Sequence, residues 1–134
     1  MGALAAWMSH HLLVGKLALS ILMTFQVGMG TVFWSHGDPQ NPDNRNACHL
    51  KVKHVPKRLD DNAMAFAHKT LPCGQWALIV NPRTGKSVYA QKVDWGPKRG
   101  LIDVTRGVSR AIGHNGMEQL IVIPVTSRRK LLTF

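Results

Sequence analysis

Two aspartates lie among apolar residues in the central part of the chain, where a carboxyl group is suited to acid–base chemistry. Asp94 stands between Val93 and Trp95, and Asp103 follows a leucine and an isoleucine. Apolar surroundings disfavour the charged form of a carboxyl group and raise its pKa, as a general acid near neutral pH requires. Both residues are therefore candidate proton donors. A carboxylate between a strand and a helix can instead cap backbone amides, which is the structural alternative for Asp103.

The two cysteines, Cys48 and Cys73, are 25 residues apart, and no CxxC motif or close Cys/His pair forms a convincing metal site. We expect neither a metal nor an organic cofactor. In an oxidising compartment the pair would form a disulfide, which adds about 3 kcal/mol in the chain-entropy model. Two buried thiols are the alternative. A catalytic pair with His49 or His68 is a third, for which the sequence has no oxyanion-hole motif.

Composition indicates one domain with a strong positive charge. The 134 residues, of which 45% are hydrophobic, suit a single core, and 17 Lys+Arg against 7 Asp+Glu give a net charge of +10. Such a charge suits nucleic acid, an acidic membrane surface or a cell-wall polymer carrying carboxylates and phosphates. Nucleic acid is not the expected partner, because the chain has no run of five basic residues and no aromatic platform among them.

The first 30 residues have the organisation of a targeting segment. Leu17–Val27 is apolar, and the small residues after it have the spacing of a signal-peptidase site with cleavage after Gly30. Apolar character extends beyond this stretch on both sides, so an uncleaved membrane anchor and an ordinary buried helix are the alternatives. We divide the chain into a signal peptide or anchor over 1–30, a folded domain over 31–126 and a basic tail over 127–134.

The folded domain begins with weak strand patterns and continues with a clear hairpin. Thr31–Trp34 is a short β-prone run, Ser35–Arg45 is a polar surface loop, and Asn46–Pro56 suggests an edge strand. The hairpin pairs the apolar run Trp76–Val80 with the alternating run Ser87–Val93 across a Pro/Gly turn. The continuous apolar run predicts a strand buried on both faces.

One helix and a last strand follow. Thr105–Ile112 has apolar residues at helical spacing, with Thr105 as N-cap and Gly113 as the C-terminal stop. Gln119–Val125 predicts the final strand, in which Pro124 favours a sheet edge or a strand end.

Three runs in this region carry a family pattern: AHKTLPCGQWALIVNPRTGKSV, VDWGP and GLIDVTRGVSRAIG. Over about residues 63–125 they resemble the rare-lipoprotein-A (RlpA-like) family, which is related to expansins, barwin and MltA-type lytic transglycosylases. It implies a mainly β fold, a six-stranded double-psi β-barrel with one or two short helices, here preceded by an N-terminal hydrophobic helix.

The resemblance also implies an activity. Lytic members cleave the glycan strand of peptidoglycan without water: a carboxyl group acts as acid and then as base, and the 6-hydroxyl of the sugar forms a 1,6-anhydro end. Asp94 matches the family's D-x-G-P aspartate and is the expected general acid/base. His68 matches the site histidine, with loop fixation as its alternative role. Asp60 matches a groove acid, with a solvated turn carboxylate as its alternative. Trp95 is a candidate sugar-stacking face or a packing aromatic.

One departure from the family pattern concerns Lys57, which occupies a position where several active members carry glutamate. A nearby lysine lowers the pKa of a carboxyl group, which is the wrong direction for a general acid. The second hypothesis is therefore a non-catalytic, expansin-like module that binds polysaccharide and loosens the wall. In both hypotheses we assign substrate contact to Trp95, Lys57 and Asp103.

The expected partner is peptidoglycan or another anionic cell-wall polysaccharide, with membrane contact through residues 1–30 if they are not cleaved. We expect an exported protein of the periplasm or cell envelope, anchored to the inner membrane or associated with a virion. A bacterial and a bacteriophage source both fit.

Overall fold

The structure is a computed structural model that describes residues 25–33, 39 and 41–125. The predicted N-terminal hydrophobic helix and basic tail lie outside the described residues, as does most of the predicted 1–30 segment. Within the described part the chain is mainly β, with six strands, a 3-10 helix at Ala47–Leu50 and an α-helix, α1. The elements are β1 (Gln26–Val32), β2 (Ala65–His68), β3 (Trp76–Val80), β4 (Ser87–Asp94), β5 (Ile102–Val104), α1 (Arg106–Ile112) and β6 (Met117–Val125).

The six strands close into a barrel in the order β1-β5-β2-β4-β3-β6, with β6 pairing back to β1. The pairs β1–β5 and β2–β4 are parallel, and the other four are antiparallel. Closure pairs every strand on both sides and so removes the free sheet edges that invite aggregation. The predicted six-stranded, mainly β architecture is confirmed.

The predicted hairpin and helix are both present. β3 pairs with β4 from Trp76 opposite Gln91 to Val80 opposite Ser87. Burial in β3 alternates, with Ala77 and Ile79 fully buried and the other three residues half-buried, so the expected burial on both faces is incomplete. The side chain of Thr105 caps α1 by accepting from the Val108 amide, and Gly113 ends the helix in the left-handed conformation, as predicted.

The barrel interior is a single apolar cluster that α1 closes with two side chains. Its members are Phe66, Ala77, Ile79, Ala90, Ile102, Val104, Val108, Ile112, Leu120 and Val122. Residues Ile102 and Val104 of β5 point into this cluster, so the residue between them, Asp103, faces outward. The core therefore fixes which face of the sheet carries the carboxylates.

The first strand begins at Gln26, five residues before the predicted start at Thr31. Gly28 and Gly30 occupy two inward positions of β1, and a Cβ on Gly30 would lie 2.4 Å from Leu120 Cδ1. This close approach explains the glycines, and glycine is depleted in ordinary strands. Gly28 and Gly30 are also among the small residues whose spacing resembles a signal-peptidase site.

The segment after the polar loop was expected to form an edge strand, and this prediction is wrong. Residues Ala47–Leu50 form the 3-10 helix, and a disulfide joins Cys48 to Cys73 with 5.2 Å between their Cα atoms. A second buried cluster forms around this bond, with Val55, Ala65 and Val93. The disulfide thus attaches the segment that contains the 3-10 helix to the outer face of β2 and β4.

Pro124 lies near the end of β6, past Val122, the last residue of that strand that pairs with β1. The predicted strand-end position is therefore correct. Among the described residues, no helix is long and apolar enough to span a membrane.

Candidate functional site

Two carboxylates lie in one cross-strand row on the barrel. Thr31 pairs with Asp103, Asp103 pairs with Ala67, and Ala67 pairs with Asp94, so the row crosses β1, β5, β2 and β4. Neighbouring strands lie about 4.8 Å apart, which separates the backbones of the two aspartates by about 10 Å. The small side chain of Ala67 lies between them and is itself buried, whereas the two aspartates are half-buried.

Asp103 is half-buried and faces Thr31. Burial raises the pKa of the Asp103 carboxyl group, and the hydrogen bond that the Thr31 hydroxyl donates to its Oδ1 lowers the pKa by a smaller amount. The side chain that caps α1 is that of Thr105. The structure therefore does not show the capping role predicted for Asp103. Asp103 is instead a carboxyl group whose pKa is raised, which is the direction that a general acid requires.

Asp94 reaches the row through an irregularity in the pairing of β2 with β4. Phe66 pairs with Lys92 and Ala67 pairs with Asp94, so Val93 is an extra residue on β4. Bulges of this kind re-aim side chains, and they are common beside active sites. The amide of Trp95 donates to Asp94 Oδ1 at 2.7 Å, which orients the carboxylate.

His68 is buried at the end of β2, and its ring is fixed by three hydrogen bonds. Its Nδ1 accepts from the amides of Thr70 at 3.1 Å and Leu71 at 3.0 Å, which leaves the proton on Nε2 to be donated to Gln26 Oε1 at 2.7 Å. Burial lowers the pKa of His68, and the positive charge of Lys92 lowers it further. These contacts match the alternative role predicted for His68, in which the ring fixes the loop after β2.

The D-x-G-P loop lies directly against the end of β2. A Cβ on Gly96 would lie 2.5 Å from the Lys69 amide nitrogen and 2.8 Å from the His68 carbonyl carbon. Only glycine permits this approach without moving backbone. His68 thus fixes the surface on which the loop rests, and the loop presents Trp95 with half of its surface exposed.

Two lysines that were not predicted for the site contact Trp95. Lys51 Nζ lies 4.7 Å and Lys92 Nζ lies 5.2 Å from the centre of the Trp95 ring. Lys92 is 1% exposed, and its ammonium group donates to the Leu71 carbonyl. Burial lowers the pKa of Lys92, repulsion from Lys51 adds to this, and Asp94 opposes it.

Asp60 and Lys57 are exposed and precede β2 in the chain. Asp60 is exposed and accepts from the Asn62 amide at 2.9 Å, in a turn whose neighbouring carbonyl, of Asp61, accepts from Gly107 at the start of α1. The turn with Asp60 lies before the first residue of β2, whereas His68 is the last residue of that strand. Lys57 is exposed, and its carbonyl accepts from the Asn46 amide at 2.9 Å. The contacts described above bring together Asp94, Asp103, Trp95, Lys51 and Lys92.

Sequence reasoning missed Thr31, Gln26, Lys51 and Lys92. The signal for Lys92 was present, because it continues the inward alternation of Val88 and Ala90 in β4. Thr31 and Gln26 carried no such signal, because their partners are more than 40 residues away. In the described part of the chain, no three His, Cys, Asp or Glu side chains converge to hold a metal ion.

Comparison with curated proteins gives relatives that share the name RlpA. No family model matches the chain. It is 42% identical over 59 residues to the probable endolytic peptidoglycan transglycosylase RlpA of Synechocystis, and the match covers 42% of the chain and 18% of that protein. It is 35% identical over 74 residues to the endolytic peptidoglycan transglycosylase RlpA of Neisseria meningitidis serogroup A, which covers 48% of the chain and 31% of that protein. These matches confirm the resemblance that the motifs predicted.

A solved structure supports the fold. Cerato-platanin 3 from M. perniciosa superposes with a TM-score of 0.54 at 14% identity, over 75% of this chain and 94% of that one. At this identity the likeness concerns the fold alone. The chain spans less than a third of the length of the two RlpA proteins, with 18% and 31% covered, so the likeness to them concerns one part of each.

Proposed function

We propose that this RlpA-like barrel, which we assign to the double-psi type, binds peptidoglycan glycan strands and cleaves them by a lytic-transglycosylase reaction. The observation that carries the proposal is the row in which Asp94 and Asp103 flank Ala67, beside the half-exposed Trp95. Two carboxyl groups in different environments are the usual arrangement for glycosidic cleavage. Relatives of similar sequence carry the name endolytic peptidoglycan transglycosylase.

In the proposed reaction Asp103 is the acid. Its protonated carboxyl group donates a proton to the glycosidic oxygen as the C1–O bond breaks. The resulting carboxylate then takes the proton of the sugar's 6-hydroxyl as that oxygen bonds to C1, which closes the 1,6-anhydro ring and restores the acid. Water is neither consumed nor released.

Asp94 has a different role in this proposal. The sequence prediction made Asp94 the acid/base, but Asp94 lies near the ammonium group of Lys92, whereas burial raises the pKa of Asp103. We therefore assign proton transfer to Asp103 and assign Asp94 to stabilising the positive charge that develops at C1. Trp95 offers its ring to a sugar face.

Digestion of purified sacculi, with mass analysis of the soluble products, tests these roles. We expect anhydro-muropeptides from the wild type and a loss of at least about 100-fold for D103N, since general acid–base catalysis contributes this much. D94N should retain measurable release. If D94N abolishes release and D103N does not, the original assignment of Asp94 is correct and ours is wrong.

A second candidate function is binding without cleavage, in the manner of an expansin-like wall-loosening module. It is favoured by Lys57 at the position of the expected glutamate and by the lysines around Trp95. In this case the wild type would pellet with sacculi in a salt-dependent way and release no anhydro products. Either function requires export, so we propose that the protein acts in the cell envelope, with the membrane reached through its N-terminal apolar segment.

A further inference from the structure

We infer that Lys92 is a positioning residue of this site: its buried ammonium group joins the D-x-G-P loop to the loop after β2 and so holds Asp94 and Trp95 in place. The inference rests on the proposed function and deepens it by naming a residue on which the reaction depends without contact with the glycan. No step of the proposed reaction transfers a proton to or from this side chain, which is nevertheless among the largest that the barrel buries.

A lysine at this position is costly to the fold. Lys92 is 1% exposed, and lysine is almost never fully buried unless its charge is compensated. The inward residues before it on β4 are Val88 and Ala90, so an apolar side chain would continue the pattern of the core. Positions that break such a pattern are commonly functional ones. We therefore expect the charge of Lys92 to serve the site and not the stability of the barrel.

The ammonium group of Lys92 lies between two loops. It donates to the carbonyl of Leu71 in the loop after β2, and it lies 5.2 Å from the centre of the Trp95 ring in the D-x-G-P loop. A cation is attracted to the face of an aromatic ring, and the attraction is stronger where water is excluded. One buried charge on β4 thus contacts both loops.

The backbone of Lys92 is also held by the loop after β2. Its amide donates to the Gln75 carbonyl at 2.8 Å, and its carbonyl accepts from the Gly74 amide at 3.0 Å. Lys92 pairs with Phe66, and the extra residue of the bulge follows it directly, before Asp94. A shift of Lys92 would therefore displace Asp94, which lies two residues further along the same strand.

A second lysine joins the same two loops at the surface. Lys69 Nζ donates to the Lys98 carbonyl at 2.7 Å, but Lys69 is exposed, so water competes for this contact. Water has almost no access to Lys92. The buried contact is therefore the one that determines where the D-x-G-P loop lies.

The charge of Lys92 also acts on His68, whose ring fixes the start of the loop after β2. Burial lowers the pKa of His68, and the charge of Lys92 lowers it further. Removal of this charge should raise the pKa of His68, while burial keeps it below its ordinary value. The titration of His68 thus reports on the ammonium group independently of any activity.

The experiment compares K92M and K92R with the wild type in the full chain, with K86M as the control. K92M removes the charge at similar side-chain length, whereas K92R keeps the charge and its donors. Lys86 is an exposed lysine in the β3–β4 turn, so K86M loses the same charge elsewhere. The measurements are the NMR signal of the Trp95 indole, the pKa of His68, the thermal unfolding midpoint and the release of anhydro products from sacculi. W95F and H68Q assign the two NMR signals.

For K92M we expect a shifted Trp95 signal, a raised pKa of His68 and at least about tenfold slower release, as small misplacements of catalytic groups cause. Its thermal unfolding midpoint should equal or exceed that of the wild type, because exchange of buried charge for apolar side chains is often neutral or stabilising. K92R should keep the wild-type Trp95 signal and release products faster than K92M. K86M should match the wild type in every measurement.

The inference is overturned if K92M keeps the wild-type Trp95 signal, or if K92R shifts this signal as K92M does. A lower unfolding midpoint in K92M would also contradict it, because Lys92 would then serve the stability of the barrel. If the wild type releases no anhydro products, the proposed cleavage fails. The Trp95 signal and the pKa of His68 still decide in that case whether Lys92 positions the loop.

Discussion

At the residue scale, the site depends on how each carboxyl group is surrounded. Asp94 and Asp103 looked equivalent in the sequence, since both follow apolar residues. In the structure Asp94 is near the ammonium group of Lys92, whereas Asp103 is half-buried beside Thr31. Different surroundings of this kind can separate an acid from a stabilising carboxylate. The assignment therefore rests on neighbours that are distant in sequence.

The Thr31 hydroxyl gives a pH-dependent test of Asp103. Its hydrogen bond favours the charged carboxylate, so T31V should raise the pKa of Asp103 further. Because a general acid must be protonated, the alkaline limb of the pH–activity profile should move to higher pH. The measurement is the rate of anhydro-product release against pH, together with NMR titration of the carboxyl groups.

The Asp94 carboxyl serves as an internal control in that titration, because it does not contact Thr31 in the cross-strand row. An equal shift of both groups would indicate a general structural change. An unchanged Asp103 would contradict the proposed hydrogen bond.

At the scale of elements, the barrel brings the site together from loops at strand ends. His68 lies at the end of β2, and its bonds to the next loop create the surface against which Gly96 packs. The bulge between β2 and β4 aims Asp94 beside Ala67. The histidine therefore contributes to the site through the backbone that it fixes.

Replacing Gly96 tests whether the site depends on the packing of the D-x-G-P loop against the end of β2. A Cβ there would contact the backbone of Lys69 at 2.5 Å, so G96A should displace the D-x-G-P loop and reduce glycan cleavage about 100-fold, as small misplacements of catalytic groups do. Activity on sacculi and the thermal unfolding midpoint are the measurements.

G85A is the matched comparison for G96A. Gly85 has open space around it but a φ of +72°, so alanine there costs about 1 kcal/mol of backbone strain in a turn away from the site. We expect G85A to lose stability and keep activity. Equal losses of activity in both variants would contradict the role given to the loop.

At the scale of the whole molecule, closure of the barrel depends on β1. This strand pairs with β6 from Gln26 to Thr31 and with β5 at its other edge. Cleavage after Gly30, as the glycine spacing suggested, would remove five of its seven residues. The barrel then could not close, and Gln26 would be lost from His68. Any leader cleavage compatible with this fold therefore occurs before Gln26.

Two shortened chains test this conclusion. A chain that starts at Phe25 should unfold cooperatively, whereas one that starts at Thr31 should not fold, because it exposes β5 and β6 edges and the apolar interior. Circular dichroism during thermal unfolding measures both. Cooperative unfolding of the shorter chain would show that β1 is dispensable.

The sequence by itself determined the strands with strong patterns, the capped helix and the family resemblance. These features depend on local periodicity, turn residues and caps, which operate over a few residues. The six-stranded barrel and the site candidates Asp94, Trp95 and His68 came from the family resemblance. The pairing of Cys48 with Cys73 was one of three open alternatives, and the structure decided it.

Only the tertiary structure decided where β1 begins, that Asp103 faces Thr31, and that Lys92 lies buried beneath Trp95. Each of these depends on contacts between strands that are far apart in sequence but adjacent in the barrel. Burial and charge at a carboxyl group come from such neighbours, so their effect on its pKa cannot be read from flanking residues.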